Sequence, residues 1–354
     1  MNAAVQPPHS GVLLPAGAPS GVCIGGRAAA TFYLIGHQKC ATTSYAHLLL
    51  GAGLRVAARG AWCPADAPAH TWCNKELHLF DGLFCGAHTA SSGVPYSCAG
   101  VSADTAARQR FAQHSLFSCN DSPDVTLADF TPSYARIAGL PRLMAELHGP
   151  ADARRLAFVV MLREPLARMQ SGYYDDPSLT AYNFTQYAQS VAAALPRDYA
   201  GVRANASALG VRPDLDHWYR SMYGLSLSPW LTHYHPSQML ILPTHWALGH
   251  VRESVRLIRT HFPEVRLDAD AVADEPPALN AAGTPHRHPD DDLPRDMADR
   301  FRHAYFEPDL ELLASSIVAL PRGLAVGGLA AAELERGDEV QRAAAVVAHL
   351  RASW

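Results

Sequence analysis

The sequence predicts an α/β fold: a mostly parallel sheet with helices packed on both faces. Three observations point there. Short runs of β-branched, aromatic and aliphatic residues recur at 31–35, 156–162 and 239–242, apolar enough to be buried on both sides. Each is followed by a segment of helical pattern. Hydrophobic residues make up 48% of the 354, enough to build a substantial core and to exclude whole-chain disorder.

Taken in order, residues 1–30 are rich in Ala, Pro and Gly and lack the basic start and apolar run of a signal peptide, so they read as a disordered lead-in. The first strand, 31–35, ends at Gly36, and a polar loop leads into a helix over 43–50. Residues 51–75, with Pro64, Pro68 and two Trp-Cys pairs, read as an irregular excursion, and 81–123 as loop. A second strand spans 124–130, closed by Thr131-Pro132, and a helix follows up to His148-Gly149-Pro150. The strongest strand, 156–162, stops at Arg163-Glu164-Pro165, where proline suits the first turn of the next helix. Strand 239–242 precedes an amphipathic helix over 245–261. The Pro- and Asp-rich stretch 268–292 reads as loop, and 293–320 and 327–353 as Ala-rich helices. No internal repeat is present. The economical division is the lead-in 1–30, one domain over 31–325, and a C-terminal helical extension over 326–354.

A formal charge of −4 and a pI near 6.5 exclude binding of nucleic acid or anionic membrane by bulk charge. No uninterrupted apolar run of about 18 residues suggests a transmembrane helix. Of 29 basic residues 27 are Arg, leaving only Lys39 and Lys75. The seven cysteines (Cys23, Cys40, Cys63, Cys73, Cys85, Cys98, Cys119) all lie in the first third, with no C-x-x-C pair. They allow at most three disulfides and a free thiol, or serve as small buried hydrophobes. Three of the six Asn begin glycosylation sequons, at Asn120, Asn183 and Asn205. Sequons and clustered cysteines point to a secretory lumen, the missing signal to the cytoplasm if the N-terminus is complete. The compartment stays open.

Two segments carry candidate chemistry. Gly36-His37-Gln38-Lys39-Cys40-Ala41-Thr42-Thr43-Ser44 lies between a buried strand and a helix. A loop so placed aims backbone N–H groups and a helix N-terminus at one point, which suits a phosphate. Lys39 adds a positive charge, and Thr42 and Thr43 add hydroxyl donors. It is not a Walker A sequence, which would need Gly-Lys directly before the Thr pair. The second segment, Arg163-Glu164-Pro165-Leu166-Ala167-Arg168-Met169-Gln170-Ser171, leaves the strongest strand. Arg163 at the strand's carboxyl end and Ser171 two turns into the helix can converge on one anion, where parallel sheets place their ligands. In isolation each also suits a plain strand–helix turn.

Together these residues resemble two stretches of sulfotransferases. The first segment is similar to their 5′-phosphosulfate-binding loop, a Lys followed by Gly-Thr-Thr or the like. The second is similar to their 3′-phosphate-binding stretch, an Arg with a Ser eight residues later. The resemblance implies a P-loop-like three-layer fold and PAPS (3′-phosphoadenosine 5′-phosphosulfate) as donor, with no metal. It places Lys39, Cys40, Ala41, Thr42, Thr43 and Ser44 around the 5′-phosphosulfate and Arg163 and Ser171 on the 3′-phosphate. Lys75-Glu76-Leu77-His78-Leu79-Phe80-Asp81 resembles the K-E-x-H-F-F-D stretch of Golgi-type glycan sulfotransferases, heparan sulfate 3-O- and N-type enzymes above all. That implies Glu76 as the catalytic base, with His78 and Asp81 supporting it or orienting the acceptor, and Lys75 holding the sulfuryl group or a substrate anion. Asp129-Phe130-Thr131-Pro132-Ser133-Tyr134 resembles the family's E-x-(S/T)-P-x-Y element, which shapes the acceptor cleft. Tyr223-Gly224, Trp230-Leu231 and 235–242 follow its later G-x-Y, W-L and F-P-x-E-Q-L-L-V-L pattern, and 301–310 its last helix, ending in F-x-x-P-N.

The sequence departs from the family in three places. Ala41 stands where Gly is usual, a strained choice if that backbone needs positive φ. Glu164 replaces Asp or Asn. The usual Lys-Gly-Arg nucleotide loop would fall at Thr284-Pro285-His286, without its Lys and Gly, so His286 or Arg287 would cover the phosphate. Few lysines also leave no polybasic track for a long sulfated polymer. The expected acceptor is a carbohydrate hydroxyl or amine, with a small metabolite or a tyrosine as the alternative. A P-loop-type phosphotransferase and a non-catalytic glycan-binding relative are the readings from other classes. The oligomeric state is not readable from the sequence.

Overall fold

The computed structural model describes residues 22–57, 76–80, 98, 101–115, 117–119, 125–176, 179, 183–273, 293–319, 325–330, 333–334 and 337–354. Its centre is a six-stranded parallel sheet in the spatial order β4-β5-β3-β6-β7-β8. The strands are β3 (Phe32–Gly36), β4 (Arg55–Val56), β5 (Leu127–Asp129), β6 (Ala157–Leu162), β7 (Met239–Pro243) and β8 (Ala325–Val326). Every residue of β3, β6 and β7 is buried, as their unbroken apolar character requires of strands covered on both faces. Alternation then divides them between two cores. Tyr33, Ile35, Phe158, Val160, Met239 and Ile241 face one side, under helices Leu140–His148, Tyr223–His233, Glu307–Ala319 and Glu339–Ala352. Phe32, Leu34, Ala157, Val159, Leu240 and Leu242 face the other, under Thr42–Gly51 and Val251–His261. The expected three-layer α/β architecture is the one present.

The chain starts the sheet at its middle. From β3 it runs to β4 and β5 on one side, then crosses to β6, β7 and β8 on the other. The loops leaving β3 and its neighbours therefore diverge at one point, the crevice outside the carboxyl ends where open α/β sheets bind ligands. A satellite core is built on helix Pro165–Asp175, with Met169 and Tyr173 packed against Phe184, Trp218, Phe301 and Tyr305.

Several elements differ from the sequence expectation. The lead-in ends before residue 30: β1 (Val22–Ile24) and β2 (Arg27–Ala29) form an antiparallel hairpin around Gly25 and Gly26, both at positive φ. Val22, Ile24, Ala28 and Ala29 are buried in the first core, and Cys23 is disulfide-bonded to Cys119. β4 lies in the stretch expected to be irregular. The expected helix over 245–261 is two, Thr244–Gly249 and Val251–His261, interrupted by His250 at φ −132° and ψ 54°. The segment 293–320 is helical but contains a π turn, Arg302–Phe306. Pro308 follows it and has no N–H to give the carbonyl four residues back, so the wider turn absorbs the mismatch. The region 326–354 is no mere appendage. Val326 belongs to β8, paired with Ile241, and Val346, Val347 and Leu350 of the last helix are in the main core.

Candidate active site

The loop after β3 is built so that its carbonyls face the protein. The His37 carbonyl accepts from the Cys40 N–H at 3.0 Å, and the Ala41 carbonyl from Tyr45 N–H at 3.1 Å. Arg168 Nε donates to the Gln38 carbonyl at 2.9 Å, Arg163 Nη1 to the Lys39 carbonyl at 3.4 Å, and Thr244 Oγ1 to the Cys40 carbonyl at 3.1 Å. Lys39 and Ala41 both adopt left-handed backbone, at φ 70° and 57°. Alternation of that kind turns successive N–H groups to one side, a concavity suited to an anion. The helix Thr42–Gly51 begins immediately, with no side chain capping it, so its first N–H groups add to the same field. Gly36 is needed for close approach: a Cβ there would lie 2.7 Å from Ala135 Cβ and 3.3 Å from the Pro132 carbonyl.

Next to this loop stand the residues leaving β6. Arg163 is partly buried and held from behind, its own carbonyl accepting from Tyr223 Oη at 2.8 Å. Glu164 caps the following helix by accepting from the Ala167 N–H at 2.5 Å, the role an Asp or Asn would fill there. Ser171 is partly exposed two turns along it. At that helix's end Asp175 receives Lys39 Nζ at 2.8 Å, so the lysine spans from the β3 loop to the helix bearing Ser171.

Below lies a cluster that pattern-reading did not single out. Arg168 is fully buried, with Nη1 donating to the His217 carbonyl at 2.6 Å and Nη2 without a hydrogen-bond partner among the described residues. Arg220 donates from Nη1 to Gln38 Oε1 and is ion-paired with Asp216 at 2.8 Å. Arg136 lies 2.8 Å from the other Asp216 oxygen. Burial works against the Asp216 charge, but Arg136 and Arg220 hold its carboxyl well below the usual range. Burial, then Arg168, Arg220 and Arg136, keep His37 well below the ordinary imidazole value, so it is neutral in this setting. Its Nε2 is 3.3 Å from Ser226 Oγ. Burial pushes the Cys40 thiol up, so it is no thiolate.

On the other flank, the loop after β5 holds the segment 76–80. The Leu77 N–H donates to Asp129 Oδ1 at 3.4 Å, the His78 N–H to Thr131 Oγ1 at 3.1 Å, and the Phe80 N–H to Tyr134 Oη at 3.2 Å. Thr131 and Tyr134 in turn donate to the two Asp129 oxygens at 2.6 and 2.8 Å. His78 is held in left-handed backbone, φ 49°, and its Nε2 is 3.5 Å from Glu76 Oε2, both side chains mostly buried. Tyr134, expected at the acceptor cleft, is fully buried. Its hydroxyl braces the segment carrying Glu76 from behind.

The candidate residues thus fall on three adjacent strand ends. Lys39, Cys40, Ala41, Thr42, Thr43 and Ser44 follow β3, Arg163 and Ser171 follow β6, and Glu76 and His78 are fastened to the loop after β5. Lys75, Asp81, His286 and Arg287 lie outside the described residues. Arg220 and Asp216, from a short helix far along the chain, had no local signal. Arg168 was visible in its segment but not as a partner of the loop.

Comparison of the sequence with protein-family models and with curated proteins gives no match. Among solved structures, a sulfotransferase from Alicyclobacillus acidocaldarius aligns with a TM-score of 0.48 and 15% identity, over 82% of this chain and 96% of that one. No residue role passes to this chain from that likeness.

Proposed function

We propose that this chain is a sulfotransferase that moves the sulfuryl group of PAPS to an acceptor hydroxyl or amine, most naturally of a carbohydrate. The observation that carries the reading is the β3 loop. Its carbonyls are pinned inward, its helix is uncapped, and Lys39 and Arg163 stand beside it at the sheet's switch point. That donor set fits a nucleotide carrying anionic groups at both ends, and the motif resemblance specifies which one. The Walker lysine position is absent, which disfavours the phosphotransferase reading.

In this reading the N–H groups of 41–44 and Lys39 stabilise charge on the leaving phosphate oxygen as the S–O bond breaks. Arg163 and Ser171 fix the far phosphate. Such in-line transfer depends on positioning and electrostatics. Glu76 removes the acceptor proton, a contribution of roughly 10²–10⁴-fold. His78, beside it, holds the carboxylate's orientation. The backbone bonds to Asp129, Thr131 and Tyr134 set where Glu76 stands. The Cys23–Cys119 disulfide and the exposed sequon residues Asn183 and Asn205 favour an oxidising lumen such as the Golgi as the compartment. Transfer of labelled sulfate from PAPS to a panel of glycans, small alcohols and a tyrosine peptide tests the reading and separates the acceptor classes. Labelled product from none of them would contradict it.

A further inference from the structure

The loop that would take the donor does not shape itself. Gln38 is gripped twice from below, its carbonyl by Arg168 Nε at 2.9 Å and its side-chain oxygen by Arg220 Nη1. Arg168 also ties the loop to the His217 carbonyl at 2.6 Å and reaches Ser221 Oγ at 3.4 Å, so it links the loop to the chain around 217–221. It is completely buried, beside a pair of guanidiniums, Arg136 and Arg220, that face the carboxylate of Asp216. Among the described residues its Nη2 has no hydrogen-bond partner. A buried cation left incompletely satisfied is costly to keep. An anion seated on the loop above would act favourably on the Arg168 charge, since charges in a poorly screened interior act over several ångströms. Two effects therefore coincide in one side chain. Arg168 turns the Gln38 carbonyl inward, which sends the Lys39 N–H of the same peptide outward, and it adds positive potential beneath the loop.

We propose that Arg168, seconded by Arg220 through the Gln38 side chain, is a positioning residue for the 5′ end of the donor. The proposal rests on the sulfotransferase reading. It does not touch the donor and acts through the loop backbone, so it governs affinity for the 5′-phosphate specifically. Arg163 and Ser171, on the same stretch of chain, would serve the 3′-phosphate, although Arg163 also reaches the Lys39 carbonyl at 3.4 Å.

The test compares two ligands by calorimetry on the full chain: adenosine 3′,5′-bisphosphate, the desulfonated product, and adenosine 3′-monophosphate. Wild type should bind the bisphosphate more tightly. Failure to bind it at all would sink the donor reading, and this proposal with it. Arg168→Lys keeps a charge but cannot hold both carbonyls. It should weaken the bisphosphate at least tenfold and leave the monophosphate within about twofold, a split that general loosening of the helix would not produce. Bisphosphate affinity unchanged, or equal losses for both ligands, would overturn the positioning role while leaving the donor reading intact. Should Arg168→Lys fail to fold, Gln38→Ala decides in its place. It removes only the Arg220 link and should cost about threefold on the bisphosphate alone. No change, or a loss shared by both ligands, would overturn the proposal.

Discussion

Lys39 is one of two lysines in a chain that otherwise relies on arginine. It crosses to Asp175 at 2.8 Å with a compact ammonium on a flexible stem. Arginine's broad fork suits carboxylate pairs but is a poor replacement where one ammonium must approach a reacting oxygen. Lys39→Arg should therefore lower the transfer rate about tenfold or more, and near-wild-type turnover would leave the lysine's placement without a chemical reason. Glu76→Gln should cost roughly 10²–10⁴ in rate while adenosine 3′,5′-bisphosphate still binds. Equal losses in rate and binding would mark Glu76 as structural. Ala41 presents a different case. The sulfotransferase motif it resembles has glycine at this position, and the backbone here is left-handed at φ 57°. Ala41→Gly should raise unfolding free energy by about 0.5–1 kcal/mol in denaturant titration, relief of strain partly offset by the freer unfolded chain. The places of Lys39 and Arg163 just after strand ends, and of Ser171 on the helix that follows, were legible because strand, loop and helix are consecutive in sequence. Arg220, Asp216 and the bracing role of Tyr134 were not, because their partners lie tens of residues away and no spacing encodes them.

At the scale of elements, β3, β6 and β7 were legible because burial on both faces leaves an unbroken apolar run. β1, β2, β4 and β8 are two or three residues each and exist by pairing with a neighbour, so no periodicity announces them. The hairpin β1–β2 is anchored by the Cys23–Cys119 disulfide, which closes a sequence separation of 96. A loop of that size implies about 4–5 kcal/mol of stabilisation in the chain-entropy picture. Cys23→Ser should lower stability by about 2–5 kcal/mol, and reductant should do the same to wild type but not to the variant in respect of this bond. A second junction is Asp309, which accepts from the Gly224 and Leu225 N–H groups at 2.6 and 3.0 Å and from Tyr199 Oη at 2.8 Å. It thus ties helix Glu307–Ala319 to the start of Tyr223–His233. Burial pushes its carboxyl up to about 7, against the lowering pull of those donors. An acid raised in the folded state contributes stability at low pH that is lost as pH climbs through its folded value. Asp309→Asn copies the neutral form at the loss of one acceptor oxygen, a cost independent of pH. The variant should therefore gain on wild type as pH rises from about 5 to about 8, read by denaturation at each pH. A constant difference would show the carboxylate ionised throughout.

For the whole molecule, the arrangement follows from where the chain starts its sheet. Laying β3 first and building outward in both directions brings three strand ends together: the loop after β3, the Arg163 helix after β6, and the turn after β5 to which the Glu76 segment is fastened, the three parts of the candidate site. The two hydrophobic layers hold those ends in register. Beneath them Arg136, Arg168 and Arg220 set buried guanidiniums near the loop of an otherwise slightly acidic chain. Net charge alone points away from polyanions; in the proposed function the local concentration of guanidiniums would let such a chain take a small, highly charged nucleotide. In the proposed function the site is made for a nucleotide phosphorylated at both the 3′ and 5′ positions of the ribose. Calorimetric titration of the wild-type chain with adenosine 3′,5′-bisphosphate and, separately, with ATP tests it most directly. The expected result is tight binding of the bisphosphate and weak or no binding of ATP. Binding of ATP without the bisphosphate would contradict it.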